Sequence, residues 1–137
     1  MQTAADPTAP VTPAGIWGMN DMQINIPAQT PSYQETMNCT AGIDLDVFAV
    51  LGHEHKLGTH INVQKNAANV YDAPWNFDMQ PTTEMVTTVK KGDALKLTCT
   101  YDNTTSAAVT WGESTYNEMC AFVFYYTPYA GLDGCQQ

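Results

Sequence analysis

Positive charge is scarce in this chain: 5 Lys and Arg stand against 14 Asp and Glu, for a net charge of −9. Binding a nucleic-acid backbone requires a basic footprint, and none is present. An anionic membrane surface is disfavoured on the same ground. Long apolar runs are also missing, since none approaches the ~20 residues of a membrane-spanning helix. The opening Met1-Gln2-Thr3-Ala4-Ala5-Asp6 has neither a basic start nor an apolar stretch. No secretory leader is expected there, so an exported form would already have lost it. No segment keeps an amphipathic helical period over three turns. There is no C-x-x-C pair, so the cysteines at 39, 99, 120 and 135 fit no common zinc motif. Neither a Ser-His-Asp arrangement nor a phosphate-cradling loop can be assembled. Asp44 and Asp46 pair up, but on an entry strand far from other candidate residues.

What is present suits one domain of 137 residues, 44% hydrophobic and only 14% charged. An even cysteine count in a lysine-poor, Thr/Asn-rich chain reads as two disulfides. That places the protein in an oxidising compartment: secreted, periplasmic or at the cell surface. Asn38-Cys39-Thr40 and Asn103-Thr104-Thr105 match the glycosylation sequon, a pattern frequent by chance. Residues 1–15, Pro/Ala/Thr-rich, read as a flexible arm or linker, and residues 16–137 as the folded domain. Short strands are expected at 22–26, 43–51, 53–63 (past a turn or bulge at Gly58), 84–89, 94–101 and 119–126. Lys91-Gly92-Asp93 forms a tight turn and residues 102–106 a polar one. The fold class is all-β: an antiparallel β-sandwich or jelly roll with two disulfides. Alternation puts Leu95, Leu97, Cys99 and Tyr101 on one strand face, and Cys120, Phe122, Phe124 and Tyr126 on another. If both faces point inward, Cys99 and Cys120 are placed to bond, and Met119 emerges on the face opposite Cys120.

The chemistry concentrates in His53-Glu54-His55 and Glu118-Met119-Cys120. Two histidines two apart on a strand share a face. A methionine thioether beside them completes a two-nitrogen, one-sulfur set. Imidazole suits copper, zinc, iron and nickel, and the soft thioether selects Cu(I).

The ordered set His53-Glu54-His55-Lys56-Leu57-Gly58, Lys91-Gly92-Asp93, Cys99 to Thr104, Trp111-Gly112-Glu113-Ser114-Thr115 and Glu118-Met119-Cys120 resembles the C-terminal domain of the copper type II, ascorbate-dependent monooxygenases. That family includes peptidylglycine α-hydroxylating monooxygenase and dopamine β-monooxygenase. Asn76-Phe77-Asp78 and Trp111-Gly112-Glu113 look most like its bacterial members. The resemblance implies a jelly roll in which His53, His55 and Met119 bind one catalytic copper and activate dioxygen. It also implies disulfides Cys99–Cys120 and Cys39–Cys135. The implied activity is insertion of oxygen into a C–H bond of a small substrate, with ascorbate as electron donor. The family's second copper is held by three histidines of an N-terminal domain. This chain has three histidines in all, two already assigned, so that relay belongs to a preceding partner domain, or the protein is a single-copper relative. Where peptide-hydroxylating members hold the substrate with Arg, Asn and Tyr, Leu51, Ala121 and Val123 stand here. A peptidylglycine substrate is therefore not expected.

Plainer roles compete at each position. The histidines could be polar residues on a strand edge and Met119 a core gap-filler, one of seven methionines. His60 is expected at the surface or behind the ligands, and Glu54 in solvent. Glu113 and Glu118 are weaker candidates for orienting ligands. Trp75, Phe77, Trp111 and Tyr116 read as packing, and Lys90-Lys91 as a solvated turn. At the level of function, the rival is a copper-binding module without turnover, for metal capture or delivery. A structural zinc site is third.

Overall fold

A computed structural model of the chain describes residues 8–137. Among these residues there are strands and no helix: β1 (Gly15–Asp21), β2 (Asn25–Ile26), β3 (Thr30–Thr40), β4 (Leu45–His53), β5 (Gly58–Lys65), β6 (Ala68–Pro74), β7 (Thr83–Val89), β8 (Ala94–Asn103), β9 (Val109–Thr110), β10 (Cys120–Thr127) and β11 (Leu132–Gln136). The arm expected over residues 1–15 falls partly outside the described residues. Its remainder up to Ala14 carries no strand and is exposed.

One sheet runs β11-β1-β10-β4-β7 and the other β3-β8-β5-β6, with β2 and β9 forming a short ribbon. Apart from the β5–β6 hairpin, the chain changes sheet from β3 through β10, which is the jelly-roll order. All pairs are antiparallel except β1 with β11, which run parallel at the sheet edge.

Alternation builds the core. In β8 and β10 each second residue is buried, from Leu95 to Asn103 and from Cys120 to Tyr126. These rows meet Trp17 and Met19 of β1 and Ile61 and Val63 of β5, all essentially inaccessible. Each such large side chain contributes about 1.5–3 kcal/mol by leaving water. The Gly92 turn needs its positive φ of 96°, as the Lys-Gly-Asp signal anticipated. Asp44 anchors that turn by accepting the Lys91 backbone N–H (2.8 Å) and pairing with exposed Lys90 (3.2 Å). One sequon is closed: Asn103 is buried, and its amide donates to the carbonyls of Ile26, Pro27 and Ala107.

Both disulfides cross between the sheets. Cys99–Cys120 joins β8 to β10 (Cα–Cα 5.8 Å) and Cys39–Cys135 joins β3 to β11 (6.1 Å). The loops they close span 21 and 96 residues. Chain entropy alone makes them worth about 3 and about 5 kcal/mol. The double variant Cys39→Ala/Cys135→Ala is expected to lose about 2–5 kcal/mol in urea denaturation. An unchanged midpoint would mean β11 is held without its bridge.

Candidate metal centre

The strand expected to run from His53 to Val63 is broken. β4 ends at His53, residues 54–57 cross to the opposite sheet, and β5 begins at Gly58. The cause is Glu118. Its two carboxylate oxygens accept the backbone N–H of His55 and of Leu57, each at 2.7 Å, giving those groups a partner that is not a strand. The two histidines therefore do not share a strand face. His53 is half-buried at the end of β4, and His55 lies buried in the crossing turn. The crossing still brings the rings together, centroids 5.1 Å apart and nearly perpendicular.

Both imidazoles are oriented through Nδ1. His53 Nδ1 is 2.9 Å from Gln80 Oε1, and His55 Nδ1 is 3.0 Å from the Asn117 carbonyl. Carbonyl oxygens only accept, so both Nδ1 atoms donate, and each neutral ring keeps its lone pair on Nε2. Burial, against the pull of the Gln80 bond, holds the His53 pKa below its ordinary value. The neutral, metal-binding form is thereby favoured. Trp75 and Phe77 set their rings edge-on against His53 and His55, and Trp75 Nε1 donates to the His55 carbonyl at 3.2 Å. These aromatics pack, as expected, but what they pack against is the candidate ligands.

Met119 sits on a segment bracketed by histidine contacts. Asn117 and Glu118 bind His55, and Ala121 is the cross-strand partner of His53. The Tyr101 hydroxyl donates to the Met119 carbonyl at 2.7 Å, and the next residue, Cys120, is tied to β8 by its disulfide. The Met119 backbone is thus fixed from both sides, and its side chain is half-buried. Among the described residues, no three His, Cys, Asp or Glu side chains are placed to hold a metal. A site here therefore needs a donor outside that set. His60 lies elsewhere on β5, 3.3 Å from Asp72 at the surface. Glu113 is exposed and makes no part of the cluster.

Glu54 departs most from expectation. It is not solvated but fully buried, and neither carboxylate oxygen has a hydrogen-bond partner. Desolvation, then the neighbouring Glu118 charge, pushes its pKa up to about 10, with the nearby Thr100 backbone pulling back only slightly. Burial also raises Glu118, but there the Leu57 and His55 N–H groups oppose it. Gly58 is explained by this packing, because a Cβ there would overlap the Glu54 side chain. Gln80 and the Asn117 carbonyl escaped the sequence reading, one lying in a polar loop and the other being main chain.

A jelly roll that gathers two Nδ1-anchored imidazoles and a thioether-bearing segment at one end has the donor chemistry of a copper domain. The sequence pattern of the copper type II ascorbate-dependent monooxygenase C-terminal domain matches residues 12–137, and the chain belongs to that family. DBH-like monooxygenase protein 1 from Homo sapiens is 29% identical over 147 residues, covering 93% of this chain and 24% of the relative. DBH-like monooxygenase protein 2 from Homo sapiens is 29% identical over 110 residues, covering 74% and 22%. The chain thus spans about a quarter of the curated relatives it matches. Latent PorU from Porphyromonas gingivalis overlaps 90% of this chain and 13% of its own at 8% identity, with a TM-score of 0.32, too low to carry any argument.

Proposed function

We propose that this domain carries the single catalytic copper of an ascorbate-dependent hydroxylating monooxygenase, bound by His53, His55 and Met119. The observation that carries the reading is the pair of imidazoles whose Nδ1 atoms are both engaged, 5.1 Å apart, beside the anchored Met119 segment. Copper bound there supplies one-electron chemistry toward dioxygen and a substrate C–H bond, with ascorbate as reductant. Gln80 and Asn117 aim the rings, Tyr101 and the Cys99–Cys120 bridge hold Met119, and Glu118 fixes the turn that carries His55. A second-copper domain is the partner implied for electron supply, and an oxidising, extracytoplasmic setting fits the two disulfides.

Copper titration with X-ray absorption of the Cu(I) state tests the assignment. One equivalent should bind with a sulfur scatterer, and Met119→Ala should remove that scatterer and weaken Cu(I) binding more than about 100-fold. Absence of stoichiometric binding, or a sulfur shell that survives Met119→Ala, overturns it. Ascorbate-driven peroxide without hydroxylated product, with the partner domain supplied, would favour the copper module without turnover. The bridges give a separate expectation. Cys99→Ala/Cys120→Ala should weaken copper retention about tenfold or more, because it frees the strand beside Met119.

A further inference from the structure

We propose that the cavity beside His55, where Lys56 sits between the Phe77 and Tyr116 rings, docks a small, flat monoanion rich in hydroxyls, an enediol reductant of the ascorbate kind. This rests on the proposed function and gives its reductant a place to bind.

Two segments build the site, and each also holds an imidazole. Residues 75–80 follow β6; there Phe77 stands edge-on to His55, and Gln80 engages His53. Residues 114–117 precede β10; there the Asn117 carbonyl engages His55, and Tyr116 comes just before it. Lys56, the residue after His55, reaches both segments. Its Nζ lies 5.8 Å from the Phe77 ring centroid and 5.4 Å from that of Tyr116. A cavity of about 520 Å³ opens there, lined by Lys56, Gly58, Trp75, Asn76, Phe77 and Asp78. That volume suits a small molecule.

The lysine is the centre of the argument. Lys90 pairs with Asp44, and Lys65 donates to the Thr88 carbonyl. Lys56 has ring faces for neighbours instead. Among the described residues no carboxylate lies within ion-pair distance of it, although the chain carries 14 acidic side chains. Tyr116 does not pack into the core; it is 84% exposed, and its ring meets the ammonium. An ammonium flanked by two aromatic rings makes a slot for a flat anion: the charge attracts it and the rings stack against it.

The lining sets the class. One ammonium in a chain of net charge −9 favours a monoanion over a dianion. Asn76 Oδ1 already accepts the Asp78 N–H at 2.9 Å, so Asn76 offers its NH2 as a donor. Asp78 offers carboxylate oxygens, which only accept. The guest must therefore bring hydroxyls to donate, and a plain carboxylate is turned away. An ascorbate monoanion has both parts, a delocalised enediolate for Lys56 and hydroxyls for Asp78. Held there, it gives one electron, which takes Cu(II) at the proposed site to Cu(I), and one proton, which passes to water. The ascorbyl radical anion leaves.

The test is an anaerobic amide-resonance NMR titration of the copper-free chain with ascorbate, acetate, gluconate and glycerol. Ascorbate should bind saturably, salt should weaken it, and the shifts should map to residues 56–58, 76–78 and 116. Acetate, a plain monoanion, gluconate, a hydroxy acid that is not flat, and uncharged glycerol should each bind about tenfold or more weakly. Lys56→Gln, at an exposed position, should fold as wild type and lose about tenfold or more in ascorbate affinity. Lys56→Arg should keep most of that affinity, and Tyr116→Ala should lose about threefold. With copper loaded, Lys56→Gln should slow Cu(II) reduction by ascorbate about tenfold and leave reduction by uncharged hydroquinone unchanged. Wild-type ascorbate affinity in Lys56→Gln, equal binding of acetate or gluconate, or shifts that map elsewhere overturns the proposal. Copper titration of the same samples separates the two readings. Ascorbate binding without copper binding sinks the copper assignment and leaves the dock; copper binding without ascorbate binding does the reverse.

Discussion

Glu118→Gln is expected to destabilise the domain by about 3 kcal/mol and to weaken Cu(I) binding about 10- to 100-fold. Glu118 is completely buried, and both of its oxygens are committed to backbone N–H groups at 2.7 Å. Glutamine keeps one acceptor and turns an NH2 donor toward the other N–H, which is left buried and unpaired. That N–H belongs to the turn holding His55, so the loss falls on ligand placement as well as on stability. Cys39→Ala/Cys135→Ala, destabilised to a similar degree on another part of the sandwich, is the control. It should keep its copper affinity when both are compared well below their Tm. If Glu118→Gln binds copper like wild type while losing stability, the residue supports the fold alone.

How far the sequence speaks depends on whether a residue's neighbours lie along its own strand. β8 and β10 are legible because strict alternation of large apolar residues states which face is buried, and that alternation puts Cys99 opposite Cys120. β1 is hard to read, with Gly15 and Gly18 interrupting its alternation. β3 is mostly Thr, Ser, Gln and Glu with only Met37 fully buried, so its strand character comes from its partner β8. The same limit governs the site. His53, His55 and Met119 are visible as residue types with a known donor chemistry. The break after His53 is not, because it is dictated by a carboxylate more than sixty residues downstream. Extending period-two alternation through that break is what placed Glu54 in solvent.

Glu54→Gln is expected to do the opposite of Glu118→Gln, raising the stability of the copper-free protein at pH 7 by about 2–3 kcal/mol. Both glutamates are fully buried, but only Glu118 has both oxygens hydrogen-bonded; neither oxygen of Glu54 is, with only the Thr100 backbone nearby, and it faces the Glu118 charge. With a folded-state pKa raised from 4.5 to about 10, Glu54 stays protonated in the native chain and ionises on unfolding. Its contribution is therefore full below pH 4.5 and is lost as pH climbs from there toward 10, with a slope near 1.4 kcal/mol per pH unit for one released proton. Glutamine carries no such proton, so the variant's Tm should decline less between pH 5 and 9, and the two curves should meet near pH 4.5. The double variant with Glu118→Gln reads the same charge state. If both were ionised in the fold, either single substitution would relieve their repulsion and the double variant would be less stable than the sum of the single effects, whereas a protonated Glu54 makes the two effects additive at pH 7. Parallel pH–Tm curves for wild type and Glu54→Gln would show that Glu54 is ionised in the fold, with a cation or water serving the two oxygens that have no protein partner.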